Sequence, residues 1–173
     1  VPTLTSRWCE VCRKYLQQEP LIVTGRMKTG LTILYDSPDA VGADRVVDAA
    51  AAYRRYGGPL CIVDFGTATT FEAITISGEY LGGAIAPGIG VAAEALAQRA
   101  AKLPSVDIER PPSVIGRNTV HSMQSGLLFG YVGLVEGMVA RFKDELGPET
   151  RVVGTGGLAP LIASETSVID VIA

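Results

Sequence analysis

Histidine is nearly missing from this chain: His121 stands alone. No second histidine is available to complete a metal-ligand set or a nucleophilic triad, so His121 reads as structural or peripheral. Cysteine occurs three times, an odd number that cannot all pair, and this fits a reducing, cytoplasmic setting. Cys9 and Cys12 form a C-x-x-C, but no second pair lies at zinc-ribbon spacing and no thioredoxin-like unit surrounds it. They are expected to be two ordinary helix cysteines. Positive charge is also short. Lys and Arg total 15 against 18 Asp and Glu, the net charge is −3, and no basic run exceeds two residues. Without a basic stripe, nucleic acid is not expected as a partner. No apolar stretch reaches the roughly 18 residues of a membrane span, and Arg7, Glu10, Arg13 and Lys14 interrupt any signal-peptide pattern. A membrane is therefore not expected as a partner either. Finally, the sequence opens on Val1-Pro2-Thr3 with no initiator Met, a hint of a fragment.

What the sequence does have is core-forming material. At 173 residues, 47% hydrophobic and 19% charged, it is one ordinary domain or one domain plus part of another. Thr5 or Ser6 can cap a helix to about Gln18, striped with Trp8, Val11, Cys12, Tyr15 and Leu16 and closed by Pro20. Residues 21–23 and 32–35 read as short strands around a loop at 25–30, and Asp36-Ser37-Pro38 as a turn. A helix is predicted over 43–56, ended by Gly57-Gly58-Pro59. The continuous apolar run at 60–63 is a central strand, with 71–76 returning, Ser77-Gly78-Glu79 turning and 80–85 forming a third strand. A helix follows Pro87-Gly88-Ile89-Gly90, and after a Pro-rich loop a long helix runs from Asn118 or Thr119 to Leu146. A strand at 151–153, a short helix and a strand at 168–172 complete the chain. Three meandering strands followed by alternating helices and strands resemble the ribonuclease H-like unit of actin-like ATPases. The expected fold class is α/β with one nearly complete unit (41–173, including a connecting helix) and the tail of a first unit (1–40).

Three segments could carry chemistry. Asp64-Phe65-Gly66-Thr67-Ala68-Thr69-Thr70 follows a buried strand, where an acid can hold a cation and threonine hydroxyls with nearby N–H groups can receive phosphate oxygens. The same residues would also suit a hairpin turn with β-branched strand residues, but an acid-x-Gly-Thr after a buried strand favours the functional reading. Gly42-Ala43-Asp44-Arg45 opens a helix. Asp44 could take a proton from a substrate hydroxyl and Arg45 could grip a carboxylate or phosphate, although an acid also suits a helix N-terminus for its dipole alone. Gly154-Thr155-Gly156-Gly157 sits between strand and helix, where it could meet a nucleotide or simply satisfy a steric need for glycine. Gly126, Gly130, Gly133 and Gly137 lie on one face of the long helix, which calls for a close-packed partner in the chain or across a dimer.

Together, Tyr35-Asp36-Ser37-Pro38, Gly42-Ala43-Asp44-Arg45, the 64–70 segment, Gly82-Gly83-Ala84-Ile85-Ala86-Pro87-Gly88, Asn118-Thr119 with Ser122-Met123-Gln124-Ser125-Gly126, and Thr155-Gly156-Gly157-Leu158-Ala159 resemble the type III pantothenate kinase family over essentially the whole chain. The resemblance implies ATP-dependent phosphorylation of pantothenate to 4'-phosphopantothenate, the first step of coenzyme A biosynthesis. It implies Asp44 as general base and Tyr35, Gly42, Ala43, Asp44, Arg45 and Thr119 around pantothenate. It further implies Thr67, Gly156 and Gly157 at ATP, Asp64 at a monovalent cation (potassium or ammonium), magnesium with the nucleotide, and a homodimer. The alternatives are a non-catalytic regulatory relative of the same fold, or a sugar or acetate kinase of the superfamily. The family's Asp-x-Gly-Asn-Thr phosphate loop does not occur in this sequence, so the chain by itself is expected to turn over poorly.

Overall fold

The computed structural model describes residues 2–173. Helix α1 (Pro2–Val11) continues into a π-helical turn (Cys12–Leu16) that stops where Gln17 adopts a left-handed conformation. Then come β1 (Thr32–Ile33), a 3-10 turn (Pro38–Ala40), α2 (Ala43–Tyr56), β2 (Leu60–Phe65), β3 (Ala68–Ile74), β4 (Glu79–Pro87), α3 (Ile89–Arg99), α4 (Thr119–Leu146), β5 (Arg151–Thr155), α5 (Ala159–Ala163) and β6 (Val171–Ile172). One sheet of six strands has the order β1-β4-β3-β2-β5-β6. The hairpins β2–β3 and β3–β4 are antiparallel, whereas β5 and β6 run parallel to β2. An antiparallel meander extended by parallel strands reached through helices is the ribonuclease H-like arrangement, as the element order predicts.

The period-two alternation of β2 decides what each face does. Cys61, Val63 and Phe65 join Phe71, Val152, Leu128, Val135, Val139 and Ile162 in a core between the sheet and α3, α4 and α5. Leu60 and Ile62 point the other way and pack with Ile74, Tyr80 and Val153 against Val46, Ala49 and Ala52 of α2. By the same alternation Asp64 emerges on the α2 face, opposite Thr70, and Glu72 emerges there opposite Ile62. Helix α4 starts where Asn118 Oδ1 accepts the His121 N–H at 2.8 Å, an N-cap that also occupies the lone histidine, with the Asn118 amide 3.2 Å from its Nδ1. This helix is long and apolar enough to cross a membrane on length and composition, but one side of it carries the core contacts of Leu128, Val135 and Val139. Gln124 and the ion pair Arg110–Glu165 (2.8 Å) fasten the Pro-rich loop down, the Gln124 amide donating to Glu109 Oε1 at 2.9 Å.

Two expectations change. Residues 21–23 are not a strand; Leu21 and Ile22 are exposed, and Val23 only packs at the margin of the α2-side core. A strand needs an edge to pair with, and among the described residues the open edge of β4 is taken by Thr32 and Ile33 instead. The final strand is confined to Val171–Ile172, since Ile169 turns into the α4-side core and Asp170 is spent accepting the Val152 N–H. Cys9 and Cys12 are free thiols at the end of α1 and the start of the π-turn, and Cys61 is buried in the core, where burial pushes its thiol up to about 12.

Candidate active site at the carboxyl ends of the central strands

Three turns meet at one rim. The β2–β3 hairpin turns on Gly66 and Thr67 alone. The Gly88 N–H, just before α3, donates to Thr67 O at 3.0 Å, and a Cβ on Gly88 would come within 2.4 Å of both Gly66 O and Thr67 O. The β5–α5 turn approaches from the other side. Gly156 has φ +91°, and a Cβ there would lie 2.5 Å from Asp64 Oδ1 and 2.7 Å from Phe65 N. Glycine is therefore required at 88 and 156 to bring the turns together. Thr67, Gly156 and Gly157 are exposed at this rim and Thr70 lies beside Asp64. Thr69, grouped with them in sequence, points to the opposite face; it is buried and its hydroxyl has no hydrogen-bond partner.

On the α2 face the first helical turn adds a second set of groups. Gly42 caps α2 without a side chain. A Cβ there would strike Asp44 Oδ1 at 2.4 Å, so glycine leaves that carboxylate its place. Asp44 Oδ1 accepts the Arg45 N–H at 2.8 Å, and its side chain is exposed at the start of the helix. Asp64 is half-buried, and its carboxyl is pushed above the ordinary carboxylate value by burial first, then by Asp44 and Glu72. Asp48, one turn along α2, is raised as well, by burial and then by Asp64, Asp44 and Glu72. The carboxylates thus share one negative field, which favours a bound cation. Asp64 offers a carboxylate near the end of β2 inside this field, donor chemistry that fits a monovalent ion. Among the described residues no three Asp, Glu, His or Cys side chains converge into a metal-binding group.

Arg45 is where the structure departs most from the pattern in the sequence. Its guanidinium turns inward and forms a paired contact with Glu72, Nε to Oε1 at 2.6 Å and Nη2 to Oε2 at 2.8 Å. The Tyr80 hydroxyl donates to the same Glu72 oxygen, Oε2, and the rings of Tyr35 and Tyr80 lie 5.9 Å from the guanidinium carbon. Tyr35 in turn packs over Gly82 (φ +118°), where a Cβ would come within 3.1 Å of its ring. The sequence reading missed Glu72, Tyr80 and Asp48. The available signal for Glu72 was an acid inside an otherwise apolar strand, on the Asp64 side by alternation. Thr119 is exposed at the start of α4 and lines a cleft of about 1240 Å³ between α3 and α4 with Pro87, Leu96, Leu127 and Tyr131. Asp44 is not among the residues of that cleft.

Comparison with known proteins bears on the family of the chain. The family model described as type III pantothenate kinase matches residues 1–141. A type III pantothenate kinase of Roseiflexus sp. (strain RS-1) is 56% identical over 172 residues, covering 99% of this chain and 68% of that protein. The corresponding protein of Moorella thermoacetica is 54% identical over 170 residues (98% and 67%), and that of Koribacter versatilis 53% over 169 (98% and 62%). The chain thus spans about two thirds of the length of these relatives. A crystal structure from Campylobacter jejuni, described as a conserved putative Baf family transcriptional activator, superposes with a TM-score of 0.57 at 19% identity, over 83% of this chain and 61% of that one, a likeness of fold. On the extent of the family match and the identity to these relatives, the chain belongs to the type III pantothenate kinase family.

Proposed function

We propose that the protein phosphorylates pantothenate with ATP, and that Asp44 is the group that takes the proton from the substrate hydroxyl. The observation that carries this reading is the position of Asp44 in the first turn of α2, near enough for its charge to act on Asp64, which borders the Gly156-Gly157 turn. Phosphoryl transfer asks for positioning and charge stabilisation more than for covalent chemistry. Pantothenate lies along Tyr35 and the Gly42–Arg45 turn. ATP, accompanied by magnesium, would lie against Thr67, Gly156 and Gly157. Bound there, magnesium would supply charge neutralisation at the transferring phosphate, and Asp64 would hold potassium or ammonium. Residues 1–40 are read as the tail of a first actin-like unit, although β1 within them joins the edge of the second unit's sheet, and 41–173 as the connecting helix and second unit, in a cytoplasmic setting. A coupled assay of ADP release by the intact protein tests the function. Release dependent on pantothenate is expected; release with only a sugar or acetate, or with no acceptor at all, would overturn it.

The cation role has its own test. Asp64→Asn removes the charge at nearly constant shape, so potassium should activate the variant weakly or not at all. A potassium titration superposable on that of the unsubstituted enzyme would end the assignment.

The protein is also proposed to be a homodimer, with Thr119 reaching the pantothenate of the partner subunit. Cβ atoms built on Gly126, Gly130 and Gly133 meet nothing, so the glycine face of α4 has no partner helix within the described residues. Beside it lies the apolar cleft that contains Thr119. Sedimentation as a monomer at assay concentration would refute this assembly.

A further inference from the structure

We propose that Glu72 is a positioning residue for the reaction: it fixes the Arg45 guanidinium and thereby holds the first turn of α2, with Asp44, against the sheet. This rests on the reading of Asp44 given above. Glu72 sits mid-strand between Ile62 of β2 and Gly83 of β4, with 1% of its side chain exposed. Each of its oxygens receives a guanidinium N–H, and the Tyr80 hydroxyl donates to Oε2 as well. Arg45 is itself only 11% exposed and lies beside the rings of Tyr35 and Tyr80, which are 6.4 Å apart and set edge to face. The residue locked in this way is the neighbour of Asp44, and its backbone N–H is the donor that orients Asp44 Oδ1. A line of contacts therefore runs from β3 through Glu72 and Arg45 to the carboxylate at the reacting end of α2.

Charge explains why an acid is needed. An arginine meant to seize a substrate anion would offer its fork outward, whereas here the fork is turned inward and its charge is balanced by Glu72. Stability alone is a poor reason for such a pair, because apolar residues of similar volume often do as well. A paired fork does supply direction, since two parallel N–H···O bonds fix the guanidinium plane. Glutamine at 72 would keep the volume but set its own N–H groups against those of Arg45, releasing the anchor.

The test is a double-mutant cycle in the intact kinase with Glu72→Gln, Arg45→Gln and both together, following kcat and KM for pantothenate and for ATP. Misplacement of a reacting group by about 1 Å costs on the order of 10²-fold. Glu72→Gln is therefore expected to lower kcat/KM for pantothenate by about 10²-fold with KM for ATP unchanged. The double variant should fall no further than Arg45→Gln alone, because Glu72 acts through Arg45. Glu72→Asp, which keeps the charge on a shorter arm, should recover part of the loss. Wild-type kcat/KM in Glu72→Gln, losses that multiply in the double variant, or a loss that only tracks the unfolded fraction in thermal melts would each overturn the proposal. Amide hydrogen exchange gives a reading that needs no substrate. Residues 43–46 should exchange faster in Glu72→Gln while β2 stays protected, and unchanged exchange at 43–46 would also overturn it. Absence of pantothenate turnover in the unsubstituted enzyme would count against the proposed function, and the exchange experiment would still judge Glu72.

Discussion

Asp44→Asn should reduce turnover of the intact kinase by about 10²–10⁴-fold, the usual contribution of a positioned general base, while ATP binds as before. The amide has almost the shape of the carboxylate, and its carbonyl oxygen can still accept the Arg45 N–H that now reaches Oδ1 at 2.8 Å. Asp44 sits on the surface at the start of α2, so the substitution should leave the fold intact. What disappears is the proton acceptor. A second consequence follows from the shared field: burial, Asp44 and Glu72 together raise the Asp64 carboxyl. Removing the Asp44 charge should let the Asp64 carboxyl titrate at lower pH, by weakening a like-charge repulsion. Steady-state kinetics with nucleotide binding measured separately would check the main effect. Turnover close to that of the unsubstituted enzyme would remove Asp44 from the mechanism.

Gly156→Ala should damage stability and activity together. The residue adopts φ +91°, where an L side chain is strained by roughly 1–2 kcal/mol. The new methyl would also lie 2.5 Å from Asp64 Oδ1 and 2.7 Å from both Phe65 N and Phe65 O. Two of these three atoms belong to the backbone of β2 and cannot step aside as a flexible side chain would. Overpacking of this kind costs about 1–3 kcal/mol more, so a total of about 2–5 kcal/mol is expected. Asp64 would be displaced as well, and potassium activation should fall even at temperatures where the variant is folded. Gly147→Ala is a useful control. That glycine also has positive φ (+105°) but its Cβ would meet nothing, so only the backbone strain should appear. Chemical denaturation of both variants measures the difference; equal losses would show that crowding at Asp64 is unimportant.

Local signals carried much of the fold. Helix α4 spans Thr119–Leu146 with Asn118 as its cap, as the sequence reads, because a capping side chain and a terminal glycine act over a few residues. The apolar run that begins β2 also announces itself, since a strand buried on both faces needs no alternation. Residues 21–23 show the limit of such signals. Three apolar residues favour a strand only if an edge is free, and that depends on where residues 32–33 land. The site divides in the same way. Gly42, Asp44, Asp64 and Gly156 stand at or beside the ends of elements, where glycines and acids are conspicuous in the sequence. The partner of Arg45 is not, because Glu72 lies 27 residues away and meets it only when α2 folds back across β3. Thr69 was grouped with Thr67 and Thr70 on spacing alone, and the strand's two-residue period sends it to the other face.

The docking of the three turns also sets the scale on which this unit can move. Gly88 is bonded to the β2–β3 hairpin, and Gly156 is wedged against the end of β2. None of the three turns has the slack to act as a flap. Any closure on a nucleotide would then move the sheet together with its helices rather than a loop alone. A rim built this way would meet a ligand with its contacts already assembled, so the entropy of ordering these turns is spent when the chain folds rather than on each binding event.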